Sequence, residues 1–304
     1  IRCFYKELGK NQFFYLKANA LGPLNNLKVS QINLVSSNKS KMIGAIRFKN
    51  LFPDTGKEFY MKGKFSTLSS SYNDLIRLLP NVLGKTLPLN LKKLGQFNLV
   101  GKTELTTKFI DADFTMRTAL GNVKSNFVMQ SIDFIDKVSY VGNVILDQFD
   151  LGTFVSEKDL GMVSLDFAID GIGFTEKFLN TKINGKVSKL DFNAYSYSNI
   201  EVNGNFKMPI YQGKVSVADP NLNMIFDGLM DWSKKENRFD FNIGIENANL
   251  NQLQFTKDPK SILKKWYKTE IIGHKTYFLQ DEILKQKKCT NPERVVHFLL
   301  LFLW

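Results

Sequence analysis

Histidine is nearly missing from this chain: both copies, His274 and His297, fall after residue 256. Cysteine is as scarce, with Cys3 and Cys289 near opposite ends. The first 256 residues therefore hold no imidazole and one thiol, which removes most nucleophile–base pairs and most transition-metal sites. A single distant cysteine pair is neither a disulfide framework nor a metal site. There is no Walker loop, no dinucleotide glycine cluster and no G-x-S-x-G. Asp111 with Asp113 and Asp147 with Asp150 are the nearest approach to carboxylate pairs. The spacing of Asp111 and Asp113 puts them on the polar face of a strand, where they are solvated charge. Asp219-Pro220-Asn221 has the form of a turn rather than of a calcium loop. The expectation is no enzyme, no cofactor and no metal.

Long apolar runs are lacking too. No stretch of 18 apolar residues exists, and the greasy end, Val295 to Trp304, is too short to span a bilayer. Beginning at Ile1, the chain reads as a piece of a longer protein, so a missing targeting segment carries no information about location.

What is present is alternation. Hydrophobic residues make up 43% of the 304, enough for a core, and the aromatic content is dominated by 26 Phe against 3 Trp. From Asn184 to Glu246, short segments alternate apolar and polar residues between Gly, Pro, Asn, Asp and Ser, the mark of strands with one buried face. In the last of them Phe239, Phe241, Ile243 and Ile245 point one way, and Asp240, Asn242 and Glu246 the other. Earlier segments repeat the theme: 13–18 and 29–34 on either side of Gly22-Pro23, then Met42 to Phe48 and Phe59 to Phe65 across Asp54-Thr55-Gly56. Strands are predicted again at 97–101, 103–109, 112–119, 123–129, 138–144 and 163–169. The formal charge of +12 comes from lysines that mostly alternate with apolar residues, as on the solvent face of a sheet. Without an RNA-binding aromatic motif, zinc-finger spacing or basic helix, no nucleic-acid partner is expected.

One segment breaks the period. Over 71–84, Leu75, Leu78, Leu79, Val82 and Leu83 fall at helical spacing, Ser71 with Asp74 suggests a capping box, Pro80 shortens the helix and Gly84 stops it. Glycines recur on strands about every 20 residues: Gly44 and Gly63, then Gly101, Gly121, Gly142 and Gly161, then Gly185 and Gly204. Several lie within the apolar face, as a strongly curved sheet would require. Beyond Lys257 the alternation fades. No strand is predicted there, and 257–304 is read as an atypical tail, either a helical element or a stretch that is non-native or in a shifted frame, the second being favoured.

The apolar face is lined by Phe59, Met61, Phe65, Val138, Tyr140, Val144, Leu165, Phe167, Leu190, Phe192, Ile200, Val202, Phe206, Leu222, Met224, Phe226, Phe239, Phe241, Ile243 and Ile245. Sealed by a second layer, it is a core. Left open, it is a trough that solvates acyl chains. Periodicity alone does not separate the two.

The run LLPNVLGKTLPLNLKKLG (Leu78 to Gly95) resembles the TamB-type translocation and assembly module proteins of the AsmA-like family, in their Bacteroidota branch. So do Asp150-Leu151-Gly152, Asp170 to Phe174, Asn193 to Tyr197, Asp219 to Leu222 and Phe226 to Leu229. The resemblance covers roughly 10–256. It implies a periplasmic protein tethered to the inner membrane by a segment outside this stretch. It further implies a mainly β fold, an elongated, twisted, curled antiparallel sheet (a β-taco) whose open groove carries phospholipid acyl chains between membranes. The partner it implies is an outer-membrane barrel of the Omp85 family. Two alternatives stand beside it: a structural or adhesive β-rich repeat protein with a sealed core, and an outer-membrane barrel, which the irregular turns and the intruding helix disfavour.

Overall fold

Antiparallel strands that follow one another in the chain pair as neighbours, and this chain does so throughout, across tight turns and longer connections alike. Its computed structural model describes residues 13–37, 40–51, 57–78, 89–134, 136–175, 177–207, 209–231 and 238–273. Fifteen strands form one antiparallel sheet in strict chain order, in which the first and last do not pair with each other. The expected mainly β class is the observed one. The chain divides into two compact units, 1–134 with 140–158 and 135–139 with 159–304.

The first unit contains β1 (Phe14–Leu21), β2 (Asn26–Ser36), β3 (Lys41–Lys49), β4 (Tyr60–Ser71), β5 (Gln96–Thr106), β6 (Phe109–Thr118), β7 (Gly121–Gln130) and β8 (Ser139–Asp150). The predicted helix is α1 (Tyr72–Leu78), followed by a 3-10 turn at Leu89–Leu94. Its start keeps the N-cap half of the expected capping box: the Asp74 backbone N–H donates to Ser71 Oγ at 3.2 Å, while the Asp74 carboxylate accepts from the Ser71 hydroxyl at 2.7 Å rather than from its backbone N–H. Leu79, Pro80, Val82, Leu83 and Gly84 lie outside the described residues, as do Asp54-Thr55-Gly56, Cys3, Cys289, His274 and His297. A short helix, α2 (Leu151–Val155), is capped by Asp150, whose carboxylate accepts from Thr153 N–H at 2.8 Å.

The second unit contains β9 (Leu160–Ile172), β10 (Asn180–Phe192), β11 (Tyr195–Lys207), β12 (Ile210–Asp219), β13 (Leu222–Asp231), β14 (Arg238–Asn249) and β15 (Ile262–Gly273).

Two boundaries differ from the sequence reading. The predicted break near Gly101-Lys102 does not exist: β5 runs through it, and the chain turns at Thr107-Lys108 instead. Gly101 is kept in the strand because it lies directly opposite both Phe65 and Phe114. The strand series also continues past Lys257, because β15 pairs with β14 from Ile262 to Gly273. Its residues run as doublets, Ile262-Leu263, Lys264-Lys265, Trp266-Tyr267, and Lys265 has φ 51°. A local irregularity of this kind erases period-two alternation without ending a strand.

The same device keeps apolar residues on one face elsewhere. Val187 and Leu190 are both buried although three positions apart, and their partners Ile200 and Tyr197 are buried as well. Between them Ser188, Lys189 and Asn199 are exposed, and Asn199 has φ 51°. In β2 the register shift between Val29 and Ile32, with Gln31 at φ 53°, does the same for that pair.

Candidate functional site

The candidate site is the apolar face, since it is the feature the whole sequence pattern builds. In the first unit its cross-strand rows read Leu27–Phe48–Met61–Leu105–Ile110–Met129 and Leu34–Met42–Leu68–Leu99–Met116–Val123. Between them runs Ile32–Gly44–Phe65–Gly101–Phe114–Ser125, where glycine and phenylalanine alternate from strand to strand. The Phe65 ring itself lies over Gly63 of its own strand, where a methyl group would sit 2.6 Å from Cζ, while at Gly44 and Gly101 it is the neighbouring backbone that comes close. The approach is close: a methyl group at position 44 would sit 2.2 Å from the Lys64 carbonyl oxygen, and one at 142 would sit 2.1 Å from that of Asn126. Phe114 and Phe127 meet edge to face at 6.0 Å.

In the second unit the rows are Gly185–Val202–Val215–Phe226–Ile243 and Val187–Ile200–Val217–Met224–Ile245. Beside them Gly204, Gly213 and Gly228 stand opposite one another on β11, β12 and β13, and the row ends at Phe241. Rings fill this glycine row. Phe241 lies against Gly228 and tilts against Phe226 at 5.3 Å, and Tyr211 lies over Gly204 and Gly213.

The two units cover their apolar faces to different degrees. Phe48, Phe59, Met61, Leu99, Phe114, Met116, Phe127 and Val144 of the first unit are half-buried. In the second, Ile200, Val202, Tyr211, Val215, Val217, Leu222, Met224, Phe226, Phe241 and Ile243 are almost wholly buried. Among the sequence-predicted lining residues, Phe65, Val138, Tyr140, Leu190, Phe192 and Ile245 are buried too. Leu165, Phe167 and Phe206 are half-buried, and Phe239 lies in β14 with its side chain outside the described residues. Tyr211, Val215 and Met230 belong to the same face but escaped the sequence list, although Met230 directly opposes Tyr211.

Polar groups at the sheet ends are structural. The buried Asp219 carboxylate accepts from the Ser198 N–H at 2.9 Å, the Ser198 hydroxyl at 2.8 Å, the Asn221 N–H at 2.9 Å and the Tyr195 hydroxyl. This set closes the Pro220-Asn221 turn. Asp113 pairs with Lys102 at 3.3 Å on the exposed face, and Asp147 receives the Asn122 amide at 3.2 Å. Burial pushes the Tyr197 phenol well above the ordinary tyrosine value, with Tyr195 and Asp219 adding to it; burial does the same at Tyr211, helped by Asp227. A hydrogen bond from Lys62, then one from Tyr60, holds Glu104 below the usual carboxylate range.

Among the described residues, no group of three or more His, Cys, Asp or Glu is placed to hold a metal, and no helix is long and apolar enough to cross a membrane. No family model, curated protein or solved structure matches the chain.

Proposed function

We propose that this chain is a segment of a lipid carrier that holds phospholipid acyl chains against the apolar face of its first unit. The observation that carries this reading is the half-covered set Phe48, Met61, Leu99, Phe114, Met116 and Phe127, drawn from several neighbouring rows of one face. A face kept apolar over eight strands by alternation and by bulges in β1 to β4, and left partly bare, is an apolar surface awaiting a partner. Each methylene buried there is worth about 0.8 kcal/mol, so an acyl chain would be held while shifts between equivalent rows cost little. The resemblance of Leu78 to Gly95 and of the later motifs to TamB-type proteins supports a periplasmic setting. There the carrier would be tethered to the inner membrane, move phospholipid toward the outer membrane and work with an outer-membrane barrel in its biogenesis.

A second reading, a structural or adhesive sheet with a sealed core, is supported by the burial of most apolar-face side chains of β11 to β14, Ile200, Val215, Met224 and Ile243 among them. Titrating the full chain with a fluorescent fatty-acyl probe separates them. The lipid-carrier reading predicts saturable binding that Met61→Glu and Phe114→Glu weaken at least tenfold, while Thr115→Glu, on the exposed opposite face, changes it little. Absence of saturable binding overturns it in favour of the sealed sheet.

A further inference from the structure

The opposite face of the first four strands carries a charge pattern that the described strands of the second unit avoid. Strands β1 to β4 contain seven lysine and arginine residues and no aspartate or glutamate: Lys17, Lys28, Lys41, Arg47, Lys49, Lys62 and Lys64. The register puts all seven on one face. Lys28 lies opposite Arg47 and Arg47 opposite Lys62, three cations abreast. Lys64 lies opposite Lys102 on β5. The one carboxylate directly across from any of the seven is Glu104, which pairs with Lys62 at 2.9 Å.

Like charges placed directly across an antiparallel pair are destabilising. The second unit avoids them: Lys182 faces Asp170, Lys186 faces Asp166 on one side and Glu201 on the other, and Lys214 faces Asp227. A solvated face with no further role would be expected to look like the second unit's. Among the described residues the cation row meets carboxylates only at its β5 and β6 end, where Glu104 and then Asp111 stand in line with it, so β1 to β4 themselves present a net positive surface to solvent.

The same face supplies an apolar fringe. Leu21, 75% exposed, lies directly across from Lys28, and Tyr15, 66% exposed, lies across from Val35, which in turn faces Lys41. Leu24, in the turn beside Leu21, is also exposed. Lysine and arginine clustered next to exposed aromatic and aliphatic side chains match the interface of an anionic bilayer, where cations meet phosphate and apolar groups enter the acyl boundary. A nucleic acid would be served by the cations but not by leucine at the rim.

We propose that the basic face of β1 to β4, with Tyr15 and Leu21 at its edge, docks this chain onto the anionic surface of a phospholipid membrane. The inference is independent of lipid uptake by the apolar face, because it uses the opposite side of the sheet.

Sedimentation of the full chain with vesicles tests it, using phosphatidylcholine alone and a mixture with about 30% phosphatidylglycerol. Lys28→Glu combined with Lys64→Glu puts opposite charges across from Arg47 and Lys102, so the substitution relieves repulsion and the fold is retained. The expected result is binding to the mixed vesicles only, lost more than about 30-fold in that double variant. Tyr15→Ser with Leu21→Ser weakens it as well, and Lys207→Glu with Lys264→Glu leaves it nearly unchanged. Rising salt weakens binding of the unmodified chain in parallel. Equal binding to the two vesicle types, full binding by Lys28→Glu/Lys64→Glu, or tighter binding to duplex DNA than to the mixed vesicles each overturns the proposal.

Discussion

The ring of Tyr211 lies over Gly204: a methyl group at 204 would sit 2.6 Å from the Tyr211 hydroxyl oxygen and 2.7 Å from ring carbons Cε2 and Cζ. Tyr211 is 2% exposed, so its ring is the side chain that fills the gap left by Gly204 and Gly213. Tyr211→Ala is expected to cost about 3–5 kcal/mol in urea unfolding, as for other buried aromatic truncations. Among the described residues the hydroxyl donates a long hydrogen bond to the Lys214 carbonyl oxygen, at 3.4 Å. Tyr211→Phe should therefore cost less than about 1 kcal/mol.

Phe167 stands across from Gly185 in an equally close approach. A methyl group at 185 would come within 2.0 Å of the Asp166 carbonyl oxygen, which belongs to backbone and has nowhere to go. Gly185→Ala is expected to destabilise by about 1–3 kcal/mol or more, through forced separation of β9 and β10. Gly161→Ala, where the nearest atom is the Asp191 Cβ at 3.0 Å, should cost distinctly less. Urea midpoints of the two variants decide the order.

Asp219 accepts four hydrogen bonds at a buried turn, and its removal strands their donors. Asp219→Ala is expected to lose about 3 kcal/mol of stability, and Asp219→Asn less, since the amide oxygen keeps some of the bonds. Equal stability of Asp219→Ala and the unmodified chain would contradict that account of the turn.

Alkali should act through the buried phenols. Burial raises Tyr197 and Tyr211 in the folded chain, whereas an unfolded tyrosine titrates near 10. Below that value both states hold the proton, so these two groups contribute no pH dependence. Above it the unfolded chain releases protons that the folded chain retains, so stability falls as pH rises. Urea unfolding at about pH 8 and about pH 11 should show the loss, and Tyr211→Phe should make it shallower.

Much of this architecture is legible in the alternation, because a sheet with one buried face forces period two on its sequence. Phe226, Phe241, Ile243 and Ile245 were readable that way and share one face. The legible helix start was Ser71 with Asp74, since a capping box is a local hydrogen-bond pattern. Alternation failed where strands bulge: the positive φ at Gln31, Asn199 and Lys265 shifts the phase, which hid β15 altogether. The recurrent glycines were legible as positions without a side chain, but their partners were not. Opposition of Gly44 to Phe65 or Gly185 to Phe167 depends on register, which turns and bulges set together. Nor does periodicity report coverage, so the contrast between half-buried Phe114 and buried Phe226 emerges only in three dimensions.

The central claim concerns that contrast, and photo-crosslinking tests it most directly. A photoreactive amino acid is placed singly at Phe114, at its exposed neighbour Thr115 on the opposite face, and at the buried Phe241, each in the full chain incubated with radiolabelled phospholipid. Label captured at 114, with little at 115 or 241, is the predicted result: an occupied apolar face in the first unit and a sealed one in the second. No lipid captured at 114, with crosslinks only to the chain's own side chains, would contradict the carrier reading and leave the sealed structural sheet.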